Sequence, residues 1–274
     1  RHWFMEKIEM HLLTGSDARL VGYLHQTLDE MEKYRTKRPC VVVFPGGGYE
    51  FLSEREADPV AMSFFERGYQ TFILYYSLGE KAKDMHVLME ASAAIMTIRD
   101  HSEEWNVQED QIAVCGFSAG GHAAGSLGVL WNHPRLLEKM DTCGGKNRPN
   151  AMILCYPVIT AGKFAHQGSL HWISGSPQGT EENEFWALER HVNAETPPAF
   201  LWHVVEDDCV PVENTLLMIQ ALRQNRIPFE CHLYPYGNHG MSVCSQEVGS
   251  ANSHVGTWVP LCHQWLEKLF CFPY

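Results

Sequence analysis

At 274 residues, 45% of them apolar, the chain can bury a sizeable core as one large domain or two small ones. With 33 acidic and 21 basic residues the formal charge is −12 and no basic stripe is present, which argues against nucleic acid and anionic membranes as partners. Nine cysteines, odd in number and without a C-x-x-C pair, fit a reducing compartment, and every apolar run is shorter than the ~20 residues of a spanning helix.

Two strand-like segments open the chain, over 7–14 and 19–25, with Gly15-Ser16-Asp17 as the turn between them. Arg1-His2-Trp3-Phe4 precede Met5 and are expected to lie ahead of the native start, outside the fold. After a polar stretch, Cys40-Val41-Val42-Val43-Phe44 reads as a buried strand ending in Pro45-Gly46-Gly47-Gly48-Tyr49. A helix over 57–67 is closed by Gly68, and a strand follows over 70–76. Met85, Leu88, Met89, Ala93, Ile95, Met96 and Ile98 recur at helical spacing and predict a helix over 85–100.

The apolar run 111–115 is a second buried strand. It leads into Gly116-Phe117-Ser118-Ala119-Gly120 and then the small residues of 121–125, which suit a closely packed helix. Strands are predicted over 151–156, 199–205 and 229–234, and helices over 212–223 and 256–270. Short strands alternating with longer helices predict an α/β chain with a mostly parallel sheet covered on both faces, and the opening hairpin adds antiparallel edge strands. Residues 161–196 lack a clear period but carry Trp172, Phe185, Trp186 and Leu188. They are expected to form a small cap or pocket-lining insertion within one domain spanning 5–274.

The run at 116–120 has the G-x-S-x-G form of a nucleophile elbow. Glycines two residues either side of Ser118 let strand and helix approach without a Cβ between them. The turn exposes the serine hydroxyl and leaves the Ala119 N–H free at a helix N-terminus, where it can stabilise an oxyanion. A Gly-rich turn with a capping serine has the same sequence, so the partners must decide. A serine nucleophile needs a base, and the base needs a carboxylate to fix its tautomer.

After the strand at 199–205 stand Glu206, Asp207 and Asp208. Asp207 is the candidate acid, because Asp207-Asp208-Cys209-Val210-Pro211 lets the first Asp face a site while the proline starts a helix; Asp208 is the alternative. His239, flanked by glycines in Tyr234-Pro235-Tyr236-Gly237-Asn238-His239-Gly240, is the candidate base. His122 is expected to pack beneath the serine, His203 to be a satisfied core residue, and His254 and His263 to serve surface or packing roles. The glycines after the first buried strand can turn N–H groups inward, so Gly47 and Gly48 are expected to complete an oxyanion hole with Ala119.

These motifs together, PGGGY at 45–49, GFSAGGH at 116–122, TPPAFLWH at 196–203, EDDCVPVEN at 206–214 and YPYGNHG at 234–240, resemble the esterase/lipase branch of the α/β-hydrolase superfamily. The likeness runs from about Lys7 to the end and is greatest to acetyl esterases and acetylxylan-esterase-like proteins. One departure is Pro45, where many relatives carry histidine; it bears on the shape of the pocket.

The resemblance implies a single-domain α/β-hydrolase fold and acyl transfer to Ser118, with His239 as base, Asp207 as its orienting acid and water releasing the acid. It implies short acyl groups such as acetate on a sugar or other alcohol. Tyr49, Trp172 and Trp186 are candidate pocket residues, the tryptophans as sugar-stacking rings or else as core. No metal or cofactor is required, and the expected partner is a small-molecule ester such as an acetylated oligosaccharide, not nucleic acid or membrane. A cytoplasmic location is expected, and oligomeric state is left open. Two other readings stay open: the same triad cutting an amide, formamide or peptide bond, and a hydrolase-like fold that only binds a ligand. A histidine base predicts that activity falls below about pH 6–7.

Overall fold

The structure, a computed structural model, describes residues 4–274. The expected hairpin consists of β1 (Met5–His11) and β2 (Arg19–His25), paired antiparallel. Then follow β3 (Arg38–Phe44), α1 (Asp58–Phe65), β4 (Gln70–Tyr75), α2 (His86–Asp100), β5 (Val107–Phe117) and α3 (Ala119–Leu130). The second half holds α4 (Pro134–Leu137), β6 (Ala151–Cys155), α5 (Gln167–Ser174), α6 (Glu181–Phe185), β7 (Ala199–Val204), α7 (Glu213–Gln224), β8 (Phe229–Tyr234) and α8 (Trp258–Phe270).

All strands join one eight-stranded sheet in the order β1-β2-β4-β3-β5-β6-β7-β8. The pairs β1–β2 and β2–β4 are antiparallel and the rest are parallel. This is the arrangement that the alternating pattern and the family resemblance both implied.

Side chains alternate across the sheet. Val42 and Phe44 of β3, with Ile112 and Val114 of β5, join the core formed with α2, α3 and α7. Val41 and Val43, with Ala113, Cys115 and Phe117, join the core formed with α1 and α8. Both faces are therefore buried, which is why these strands are continuous apolar runs and not alternating ones. Each fully buried Val or Leu contributes roughly 1.5–3 kcal/mol.

The topology sets the site. Strand β3 has β4 on one side and β5 on the other, so successive connections leave in opposite directions across the sheet. The loops leaving the C-terminal ends of β3 and β5 part from each other and open a crevice between them. Those loops are Pro45-Gly46-Gly47-Gly48 and the turn at Ser118.

Some boundaries differ from expectation. The first strand ends at His11, and β5 begins at Val107, with exposed Glu109 and Asp110 extending beyond the buried part of the sheet. Polar residues hid that extension from a hydrophobicity reading. Residues 161–196 fold into α5, α6 and a 3₁₀ turn at Leu188–Arg190, and Leu170, Ile173, Trp186 and Leu188 join the core beside α3. Of the four residues set aside at the start, Arg1, His2 and Trp3 lie outside the described residues. The ring of Phe4 packs edge-on against His25 and Phe65. Among the described residues no helix is long and apolar enough to cross a membrane.

Candidate active site

Ser118 stands between β5 and α3 with φ 55° and ψ −119°, a conformation that side-chain-bearing residues avoid. Such a residue costs about 1–3 kcal/mol and persists only when its surroundings fix it. Here the Ser118 N–H donates to the Cys155 carbonyl at 3.0 Å, and its own carbonyl accepts from Val158 at 3.0 Å and His122 at 3.1 Å. The flanking glycines have the expected cause. A Cβ on Gly116 would lie 2.1 Å from the Gly120 carbonyl oxygen, and one on Gly120 would lie 2.0 Å from that of Phe44.

Three side chains distant in sequence meet here. Nε2 of His239 is 2.8 Å from Ser118 Oγ, and its Nδ1 is 2.6 Å from Asp207 Oδ2. Asp207 Oδ1 accepts from the backbone N–H groups of Cys209 (3.0 Å) and Val210 (2.8 Å). Burial works against the Asp207 charge. Contacts from His203 and His239 and the Val210 N–H outweigh it and hold the carboxyl well below the usual range. Asp208 and Glu206 are exposed and take no part. An imidazole thus lies within hydrogen-bond reach of a hydroxyl on one side and of a carboxylate on the other, an arrangement able to take a proton from the hydroxyl.

The four other histidines weighed from the sequence lie where expected. His122 is fully buried beneath the turn, with Nδ1 2.8 Å from the Tyr49 hydroxyl and Nε2 2.9 Å from the Trp186 carbonyl. Burial brings it down to about 4, so it is neutral. His203 lies in the core, with Nδ1 on the Thr215 hydroxyl (2.7 Å) and Nε2 on the Val210 carbonyl (2.9 Å). His254 is exposed, while His263 is buried against Phe64.

Ser118 opens on a cavity of about 520 Å³ that is also bordered by Gly47, Gly48 and His239. Gly47 has φ +131°, and a Cβ there would lie 2.0 Å from the Phe51 carbonyl oxygen; Gly48 has φ +67°. The Gly46 N–H is already used, donating to Glu56 Oε2 at 2.8 Å. The N–H groups of Gly47 and Gly48 have no acceptor among the described residues. Ala119 is the first residue of α3, so its N–H also lacks an intrahelical partner.

Glu56 is a residue that the motifs did not reveal. Its buried carboxylate accepts from Gly46 and, through Oε1, from the Tyr156 hydroxyl at 2.7 Å. That hydroxyl accepts in turn from the Ser242 N–H at 2.9 Å. Burial pushes the Glu56 carboxyl up, and the two hydrogen bonds pull the other way. The chain Gly46–Glu56–Tyr156–Ser242 ties the glycine loop to the loop carrying His239. Tyr156→Phe leaves a buried N–H and a carboxylate oxygen unpaired, so it should destabilise the protein by about 1–3 kcal/mol, read as a lower urea midpoint.

The pocket expectation needs correction. Tyr49 and Trp186 do not line the cavity: they are 0% and 1% exposed and brace His122 from within the core. A large aromatic next to a glycine loop fills space behind the turn more readily than it faces solvent. Trp172 stands at one remove, its Nε1–H donating to Glu50 Oε1 at 3.1 Å, and Glu50 borders the cavity. The side chains that do line it include Phe51, Arg55, His166 and Cys209. Phe51 lies three residues past Gly48, two beyond the Tyr49 that was named, and the sequence does not say which of the two rings faces out; His166 lay in the stretch without a period.

The BD-FAE family model matches residues 28–222. The chain is 37% identical over 244 residues to endo-1,4-beta-xylanase B of Butyrivibrio fibrisolvens, covering 86% of this chain and 36% of that protein. It is 26% identical over 271 residues to an acetylxylan esterase of Xylanibacter ruminicola, covering 96% of this chain and 49% of that protein. It thus spans half or less of the length of these two curated relatives. Among solved structures, the acetyl ester-xyloside bifunctional hydrolase of Caldicellulosiruptor lactoaceticus superposes with a TM-score of 0.79 at 33% identity, over 93% of this chain and 89% of that one. A match over most of the chain, the eight-stranded sheet and the strained serine turn lead to one assignment: the chain belongs to the BD-FAE family, within the α/β-hydrolase superfamily.

Proposed function

We propose that this protein is a serine carboxylesterase that removes short acyl groups, acetyl foremost, from small carbohydrate esters of the xylan type. The observation that carries the reading is the hydrogen-bonded chain from Ser118 through His239 to Asp207, at 2.8 and 2.6 Å, beside unused backbone N–H groups. The names of the xylanase and acetylxylan esterase relatives support the substrate class. A reducing compartment, the cytoplasm, suits a chain whose nine cysteines are all free thiols.

Ser118 Oγ attacks the ester carbonyl carbon as His239 Nε2 takes its proton. The carbonyl oxygen becomes an oxyanion, and the N–H groups of Gly47, Gly48 and Ala119 stabilise it. Collapse breaks the bond to the alcohol, which leaves with the proton from His239. Water repeats the sequence on the acyl-serine and frees the carboxylic acid. Asp207 stays ionised throughout and holds the Nδ1–H of His239.

The test uses p-nitrophenyl acetate, an acetylated xylo-oligosaccharide and a fluorophosphonate probe. The wild type should turn over both esters and be labelled, and Ser118→Ala should lose turnover and labelling together. Labelling that persists in Ser118→Ala, or a wild type inactive on both esters, would sink the reading. Faster cleavage of a matched amide would move it to the amidase class.

A further inference from the structure

An acetyl group fills only a small part of a cavity of about 520 Å³, which leaves most of it for the alcohol side of the ester. Phe51, a large apolar ring 59% exposed, borders that space from the loop after β3. Glu50 and Arg55 border it too, and both are held: Glu50 by Trp172, and Arg55 by the Val248 carbonyl and the Ser250 hydroxyl, each at 2.6 Å. His166 enters from the N-terminal end of α5.

The tautomer of His166 follows from its neighbours. Nδ1 lies 2.8 Å from the Ser169 hydroxyl and 3.3 Å from the Ser169 backbone N–H. A backbone N–H can only donate. Ser169 is fully buried, and its hydroxyl has no other acceptor among the described residues. Nδ1 therefore accepts both, and a neutral imidazole then carries its proton on Nε2. Burial holds His166 below the usual histidine range and keeps it neutral. Nε2 has no protein partner among the described residues. The ring stands beside Gly48, its Cε1 3.8 Å from where a Cβ on that glycine would be.

We propose that His166 selects the alcohol side of the substrate, its Nε2–H donating to a ring or hydroxyl oxygen of a sugar whose apolar face rests on Phe51. The proposal rests on the carboxylesterase reading. A sugar offers acceptor oxygens around its rim and a face of C–H groups, which matches one fixed donor and one exposed aromatic ring. A simple alkyl alcohol offers neither.

The measurement is the ratio of kcat/KM on an acetylated xylo-oligosaccharide to kcat/KM on ethyl acetate. His166→Phe fills the same space without a donor, and His166→Gln restores an N–H. The ratio should fall about tenfold in His166→Phe, the effect of one hydrogen bond, and recover most of that in His166→Gln. Phe51→Ala should lower the same ratio. A ratio within twofold of wild type in His166→Phe overturns the proposal, including the case of equal losses on both esters, which would mark a purely structural or oxyanion role. A wild type inactive on both esters overturns the esterase reading and this proposal with it; an active wild type with an unchanged ratio overturns this proposal alone.

Discussion

Asp207→Asn is expected to lower kcat about ten-thousandfold while the fold survives. The reason lies in the direction of two hydrogen bonds. Oδ1 accepts from the Cys209 and Val210 N–H groups, so the asparagine oxygen will take that side. Its NH₂ then faces Nδ1 of His239, which must become an acceptor. The proton moves to Nε2, and the imidazole points a donor at Ser118 where the proposed reaction needs a base. Asp208→Asn, on an exposed side chain, should change kcat only a few-fold. Steady-state kinetics on one ester settles the comparison, and equal losses would reassign the acid.

The same carboxylate links stability to pH. Its pKa is depressed in the folded state, so its contribution is fully present above the unfolded carboxylate value of about 3.9 and is lost as pH falls toward the lower folded value. The urea midpoint should therefore fall further between neutral and acid pH in the wild type than in Asp207→Asn.

Gly120→Ala is expected to destabilise the protein by about 3 kcal/mol or more, enough to abolish soluble expression in a marginally stable domain. Its Cβ would lie 2.0 Å from the Phe44 carbonyl oxygen and 2.4 Å from that of Pro45. Both are backbone atoms at the end of β3, so no side chain can swing aside. Either α3 lifts from the sheet or the glycine loop moves, and the second outcome displaces Gly47 and Gly48 from Ser118. Gly48→Ala is the contrasting case. No atom lies closer than 3.8 Å to its Cβ, so only the left-handed backbone penalty of roughly 1–2 kcal/mol applies. Thermal unfolding of the two variants should separate them clearly, and equal midpoints would show that close approach at position 120 is not the reason for its glycine.

Much of the architecture was legible because its causes are local. A strand buried on both faces is almost wholly apolar, and β3, β6 and β7 announce themselves that way, with the hydrogen-bonded His203 the buried polar exception in β7. A turn as strained as that at Ser118 needs glycine where strand and helix touch, so it leaves a motif. Asp207 and His239 could be singled out because each follows a recognisable strand and fold order limited the choice, and the structure places both beside Ser118.

Side-chain direction was not legible. Tyr49 and Trp186 carry the same residue types as sugar-binding aromatics, yet they pack inward, while Phe51 faces out. Nothing in the chain marks Glu56 as the link between two loops, because its partners Gly46, Tyr156 and Ser242 come from three separate segments.

The amino-acid order alone determined the α/β class, the sheet with its antiparallel hairpin, and the serine, acid and histidine placed at strand ends. Only the tertiary structure decided which aromatic rings border the cavity, which carboxylate lies buried beneath it, and that His166 borders the same cavity with Nδ1 on Ser169. The difference is physical: strand and turn formation depend on neighbours a few residues apart, whereas the shape of a cavity depends on which distant segments happen to pack against one another.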